Sequence, residues 1–232
     1  MGEMQTIRTP DGDFTAYVAR PSGQAKTPAI VVIQEIFGVN AVMRGIADDF
    51  AAEGYLAVCP DLFWRIEPGV DITDKSQSEW KKAFELYNAF DVDLGVKDID
   101  AAIAFARQDA ACGGKVGAVG FCLGGLLAFL SATRTDVDAA VGYYGVGIEK
   151  HLGETDQLND PLLLHIAEED QFVPKAAQAL IVASLKNHPQ VELYTYPGRD
   201  HAFARKGGEH YDVGDAEIAR ERTLALFKKA LG

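Results

Sequence analysis

Lys115-Val116-Gly117-Ala118-Val119-Gly120-Phe121-Cys122-Leu123-Gly124-Gly125 is the stretch whose reading decides the fold. An apolar run of strand character, Lys115 to Val119, meets a turn in which Gly120 and Gly124 flank Cys122 at two residues either side. An apolar helical pattern, Leu123 to Thr133, starts at once. A strand that reverses into a helix so abruptly leaves no room for side chains at the flanking positions, and it exposes the central side chain over the helix N-terminus. That end of a helix favours a developing thiolate or oxyanion. Cys122 is therefore read as a nucleophile, against the alternative of a small buried hydrophobe between turn glycines.

Working outward, apolar strand-like runs alternate with helical patterns along the chain, and no repeat, low-complexity tract or linker divides it. The expected strands are a hairpin of Thr6 to Thr9 and Phe14 to Ala19 about Asp11-Gly12, then Ala29 to Ile33, Tyr55 to Cys59, Lys115 to Val119, Ala139 to Tyr144, Leu162 to Ala167 and Val191 to Tyr196. The expected helices are Ala41 to Glu53, Trp80 to Phe90, Val92 to Gln108, Leu123 to Thr133, Lys175 to Lys186 and Asp215 to Leu231. Val92, Val96, Ile99, Ile103 and Ala106 recur at helical steps and should form one buried face. This cadence predicts an α/β fold, a mostly parallel sheet flanked by helices, as one domain over residues 1–232. In such a sheet functional groups gather just past the carboxyl ends of the strands.

Both partners that a nucleophile needs stand at such ends, in the order nucleophile, acid, histidine that the elbow motif requires. Glu168-Glu169-Asp170 follows the strand Leu162 to Ala167, and Pro197-Gly198-Arg199-Asp200-His201 follows Val191 to Tyr196. His201 is expected to take the thiol proton and return it to the leaving oxygen, while Asp170 fixes its tautomer. Asp170 is preferred over Glu168 and Glu169 for its short reach and its place before Phe172-Val173-Pro174; the two glutamates read as solvated. His165 reads as a satisfied core residue inside a strand, and His151, His188 and His210 as loop residues. An oxyanion requires two backbone donors: Leu123, directly after the nucleophile, and Ile36, in the loop after Ala29 to Ile33. In that loop Glu35 reads either as a hydrogen-bond partner that keeps the resting thiol protonated or as an ordinary polar loop residue.

Composition excludes several classes. A formal net charge of −12 disfavours nucleic acid and anionic membrane as partners. No apolar run approaches a membrane span, and the opening Met1-Gly2-Glu3-Met4-Gln5 has neither a basic nor an apolar character. The three cysteines lack CxxC spacing and no HExxH is present, so neither a metal nor any cofactor is expected. Cys59 reads as a packing residue and Cys112 as part of a surface turn. The expected protein is a cytoplasmic monomer acting on a small molecule.

Five segments resemble the dienelactone hydrolase (carboxymethylenebutenolidase) family of α/β-hydrolases. They are Gln34-Glu35-Ile36-Phe37-Gly38-Val39-Asn40, Val58-Cys59-Pro60-Asp61-Leu62, Gly120-Phe121-Cys122-Leu123-Gly124-Gly125, Gly142-Tyr143-Tyr144-Gly145-Val146-Gly147 and His201-Ala202-Phe203-Ala204-Arg205. The resemblance implies an α/β-hydrolase fold, a triad of Cys122, Asp170 and His201, Glu35 as resting partner of the thiol, and oxyanion amides at Ile36 and Leu123. It implies ring opening of a carboxylate-bearing unsaturated lactone to maleylacetate through a thioester, as in breakdown of aromatic compounds. Of the family's two carboxylate-holding arginines, one falls on Arg205, the alternative for which is a solvated arginine. The other position holds Trp80, with Lys81 beside it as a point charge only. Trp80, Phe84 and Tyr87 follow helical steps, so Phe84 reads first as a core-facing aromatic, while Trp80 and Tyr144 are candidates to line the substrate pocket. The Trp80 departure keeps a broader carboxylesterase or thioesterase in play, and a non-catalytic thiol sensor is the competitor from another class.

Overall fold

The computed structural model of the protein describes residues 2–23 and 25–232, so Met1 of the opening read above lies outside the described residues. The chain divides into two compact units, Met1–Gly117 and Ala118–Gly232.

The first unit carries β1 (Glu3–Thr9), β2 (Gly12–Ala19), β3 (Thr27–Ile33), α1 (Ala41–Ala52), β4 (Leu56–Pro60), α2 (Gln77–Ala89), α3 (Val92–Gln108) and the start of β5 (Cys112–Phe121). Its strands lie in the order β1-β2-β4-β3. β1 and β2 form the expected antiparallel hairpin, closed by the pair Thr9 and Gly12. β2 runs antiparallel to β4, and β3 runs parallel to it with Ala29 opposite Leu56. Parallel strands covered on both faces should be apolar without alternation. Accordingly, every residue of β4 is buried.

Helix boundaries follow from caps. Asn40 accepts from the backbone N–H groups of Val42 and Met43, Ser76 from Glu79, and Asp91 from Leu94, which satisfies donors that a helix start leaves open. α3 buries Val96, Ile99, Ile103 and Ala106 of the predicted stripe, whereas Val92, at its first position, is only half-buried. Asp98 on the same helix is also buried, and it is satisfied by Trp64 Nε1 at 2.8 Å and by Arg65 through Nε at 3.0 Å and Nη2 at 2.8 Å. The expectation for α2 is corrected. Its buried residues are Ala83 and Leu86, whereas Phe84 is 40% exposed, because the helix turns its small and aliphatic side chains inward. Cys112 is corrected too, since it is buried at the start of β5 rather than exposed on a turn.

The second unit carries the end of β5, α4 (Leu123–Arg134), β6 (Ala139–Tyr143), two short 3-10 turns, β7 (Leu162–Ala167), α5 (Lys175–Leu185), β8 (Val191–Tyr196) and α6 (Val213–Leu231). Its strands lie in the order β5-β6-β7-β8. β6 pairs in parallel with β7, and β7 with β8, with Leu162 opposite Val191. α4 is buried from Leu123 through Ala132, which explains its apolar character all round.

His165 is the satisfied core histidine that the sequence predicts, and its protons can be assigned by counting. Thr223 spends its only hydroxyl hydrogen on the carbonyl of Ala219 at 3.0 Å, so it accepts from Tyr143 at 2.6 Å and from His165 Nε2 at 3.1 Å. His165 Nδ1 then accepts from the Tyr196 hydroxyl at 2.8 Å, which itself accepts from Arg222 at 3.0 Å. Burial and the neighbouring Arg222 charge push the His165 pKa down to about 3. The residue is a neutral structural link, and Tyr143, tied to the same hydroxyl, is structural with it. Among the described residues no helix is long and apolar enough to cross a membrane.

Candidate active site

The elbow is built as its spacing requires. Cys122 sits between β5 and α4 with φ 57° and ψ −115°, a backbone conformation that a side-chain-bearing residue adopts only at a cost. A Cβ on Gly120 would stand 1.8 Å from the carbonyl oxygen of Gly124. One on Gly125 would stand 2.5 Å from the carbonyl oxygen of Tyr143. Both obstacles are backbone, which cannot step aside as a side-chain tip can. Gly120→Ala is therefore expected to destabilise the protein by about 3 kcal/mol, read as a fall in thermal midpoint; an unchanged midpoint would show that the turn relaxes freely.

The turn is held on its partners by backbone bonds. Cys122 N–H donates to Tyr143 O at 3.1 Å, and Cys122 O accepts from Gly125 at 2.9 Å. Leu123, the first residue of α4, has one of the N–H groups that a helix start leaves without an intrahelical acceptor, so its amide faces the end where negative charge is favoured.

Asp170 and His201 come from the loops after β7 and β8. Asp170 Oδ2 lies 2.8 Å from His201 Nδ1, while its Oδ1 accepts from Phe172 N–H at 2.8 Å and Val173 N–H at 3.2 Å. The carboxylate is thus fixed by its own loop before it meets the imidazole. Its demand for a donor puts the ring proton on Nδ1 and leaves Nε2 with its lone pair. Nε2 is buried and has no hydrogen-bond partner among the described residues. Burial pushes the His201 imidazolium down, but once the Cys122 sulfur carries negative charge, that charge and the Asp170 carboxylate overcome it and raise the His201 pKa to about 10, so a proton taken from the thiol is held on the ring. Cys122, Asp170 and His201 all lie within the second unit, and all are buried.

Aromatic rings wall this group. Tyr144 meets the His201 ring edge-on at 5.0 Å and Phe172 meets it at 4.8 Å, while Phe203 packs at 5.7 Å against Tyr144. Tyr144 and Ala202 are, with Cys122, the non-glycine residues of positive φ among the described residues, at 38° and 62°. Backbone strain therefore collects at the three places that frame the imidazole. Phe172 and Phe203 escaped sequence reasoning as site residues, although each stands two residues beyond a member of the expected triad. Arg205 is 8% exposed, which removes the reading of a solvated arginine. Glu169 is exposed and pairs with Lys175 at 2.9 Å, as a solvated residue would, whereas Glu168 is half-buried.

The remaining expected residues lie in the first unit. Glu35 and Ile36 are buried in the loop after β3, 2% and 5% exposed. Trp80 packs edge-on against Phe37 at 5.1 Å and stacks on Phe84 at 5.6 Å, with its Nε1 donating to the carbonyl of Asp74 at 3.0 Å. Lys81 points to solvent, its ammonium 3.9 Å from Glu85 one helical turn away.

A sharp β5-to-α4 turn bearing Cys122, in a mostly parallel sheet flanked by helices, defines an α/β-hydrolase. Known proteins agree. The crystal structure of a provisionally named dienelactone hydrolase from Klebsiella pneumoniae superimposes with a TM-score of 0.87 at 26% identity, covering 98% of each chain. The carboxymethylenebutenolidase of Pseudomonas putida is 43% identical over 94% of this chain and 93% of its own. A provisionally named carboxymethylenebutenolidase of Azospirillum brasilense is 52% identical over 96% of both. A model of the dienelactone hydrolase family matches residues 14–231, so the chain belongs to that family and is a hydrolytic enzyme.

Proposed function

We propose that the enzyme opens a small carboxylate-bearing lactone of the dienelactone type, giving maleylacetate, with Cys122 as nucleophile, His201 as general base and acid, and Asp170 as the group that orients His201. The observation that carries this reading is the pairing of a strained, elbow-borne Cys122 with an imidazole whose Nδ1 is committed to Asp170 at 2.8 Å and whose Nε2 is uncommitted. His201 Nε2 accepts the thiol proton as Sγ attacks the lactone carbonyl. The oxygen that takes up the negative charge is stabilised by the Leu123 amide at the start of α4. When the ring C–O bond breaks, the proton passes from Nε2 to the departing enol oxygen, which leaves an acyl group on sulfur. Water, deprotonated by the same nitrogen, attacks the thioester; the acid is released and the thiol recovers its proton. The family pattern assigns the second oxyanion amide to Ile36 and the resting restraint of the thiol to Glu35, and both belong to the proposal on that ground. The three cysteines, none in a disulfide, suit a cytoplasmic enzyme.

The test of the reaction is the loss of ultraviolet absorbance of cis- and trans-dienelactone with purified enzyme, with a neutral nitrophenyl ester in parallel. Turnover of the ester without either lactone would favour the broader esterase reading, for which the aromatic packing of Trp80 and the outward-facing Lys81 are the supporting observations. Arg205 is assigned to the substrate carboxylate. Arg205→Ala is expected to raise KM about tenfold or more for a carboxylate-bearing substrate and to leave KM for a neutral ester within about twofold. Equal effects on the two would contradict the assignment.

A further inference from the structure

We propose that Asp200 is a positioning residue that sets the distance between Asp170 and His201, an inference that rests on the catalytic reading of that pair. The two residues come from irregular loops after separate strands, and a loop supplies no ladder to hold its neighbours in register. Three links tie these loops together. Glu169 N–H donates to Arg199 O at 2.8 Å, Gln171 N–H donates to Asp200 Oδ1 at 3.2 Å, and His201 Nδ1 meets Asp170 Oδ2 at 2.8 Å. The second link does more than join backbones. Asp200 Oδ1 also accepts the N–H of His201 itself at 2.6 Å, so one oxygen holds the residue after Asp170 and the backbone of the base at once.

Two neighbours show why such a clamp is needed. Ala202, next after His201, has φ 62°, and a strained turn persists only where its surroundings fix it. Arg199, just before Asp200, is anchored by Asp212 at 2.6 Å and Asp215 at 2.5 Å, so the far side of the loop is tied to the start of α6. Between these fixed points Asp200 decides how far His201 stands from the Asp170 loop. Its other oxygen, Oδ2, faces the exposed-side His210 at 3.8 Å, and no bond to the imidazole of His201 is made. The role is one of placement, and it depends on an acceptor at the right point, with the charge secondary.

The experiment is steady-state kinetics of Asp200→Ala, Asp200→Asn and Asp200→Glu beside His201→Ala, with thermal midpoints for all. Asp200→Ala is expected to lower kcat about tenfold to a hundredfold with KM within about twofold, the signature of a displaced catalytic group rather than a damaged binding site. Asp200→Asn, which keeps an oxygen acceptor at the same reach, is expected to restore most of that loss. Asp200→Glu keeps the charge but moves the acceptor by one methylene, and is expected to be as slow as the alanine variant. Should the alanine variant fail to fold, the contrast of Asn with Glu decides alone. Equal activity in those two, or full kcat in Asp200→Ala while His201→Ala is inactive, overturns the proposal. Retained activity in His201→Ala overturns the catalytic reading beneath it.

Discussion

Cys122→Ala is expected to lower lactone turnover by at least about 10³-fold while the thermal midpoint moves by only a few degrees. The loss is chemical, because alanine has no atom that can form the acyl bond. Any residual rate would come from the oxyanion amide and from substrate binding, which in hydrolases with a disabled triad still exceed the uncatalysed rate. The fold should tolerate the change, since alanine and cysteine meet the same steric cost at φ 57° and the removed atom is a single buried sulfur. Kinetics and a melting curve of the same preparation check both halves of the statement. Most of the activity remaining in Cys122→Ala would remove the nucleophile from the mechanism and return Cys122 to a packing role.

The second large effect is expected from Asp170→Asn, and its reason lies in the hydrogen bonds already present. Oδ1 of Asp170 receives the N–H groups of Phe172 and Val173, so an asparagine that preserves the loop must keep its carbonyl oxygen there. Its NH₂ group is then turned toward His201 Nδ1, 2.8 Å away in the native protein. A donor at that point makes Nδ1 an acceptor, moves the ring proton to Nε2 and removes the lone pair that takes the proton from Cys122. The expected fall in kcat is on the order of 10⁴-fold with KM little changed. A loss smaller than about tenfold would mean that His201 does not depend on Asp170 for its tautomer. The asparagine variant is more informative than alanine, which would loosen the loop as well.

The placement of Cys122, Asp170 and His201 in the second unit was legible in the sequence because each of its signals is local. Gly120 and Gly124 around Cys122 specify a turn by sterics alone, and the structure shows the close approach that demands glycine, 1.8 Å between a hypothetical Cβ and the Gly124 oxygen. The strands Leu162–Ala167 and Val191–Tyr196 begin and end as their apolar runs predict, so the residues just beyond them, Asp170 and His201, could be named in advance.

What escaped sequence reasoning depends on tertiary direction. Helical steps put Trp80, Phe84 and Tyr87 on one stripe, but periodicity does not say which stripe faces inward, and Ala83 and Leu86 take the buried side. Cys112-Gly113-Gly114 looks like a turn from its glycines, yet β5 opens there with Cys112 inside, its sulfur accepting from Gly114 N–H at 3.3 Å. Asp200 gave no signal because an aspartate in a polar loop is ordinary; its meaning lies in a bond to Gln171, 29 positions away in sequence. Burial of Arg205 was equally hidden, since a charged loop such as Ala204-Arg205-Lys206 reads the same whether its arginine faces in or out.

The most direct test of the central claim is to trap the acyl-enzyme. Wild-type protein is mixed with an activated nitrophenyl ester, quenched in acid during the pre-steady-state phase and digested, and the acyl mass is located by mass spectrometry against the size of the nitrophenol burst. Acyl mass on the peptide containing Cys122, matching the burst and labile to hydroxylamine as a thioester is, is the predicted result. A burst of nitrophenol with the acyl group on another residue, or on none, would contradict it.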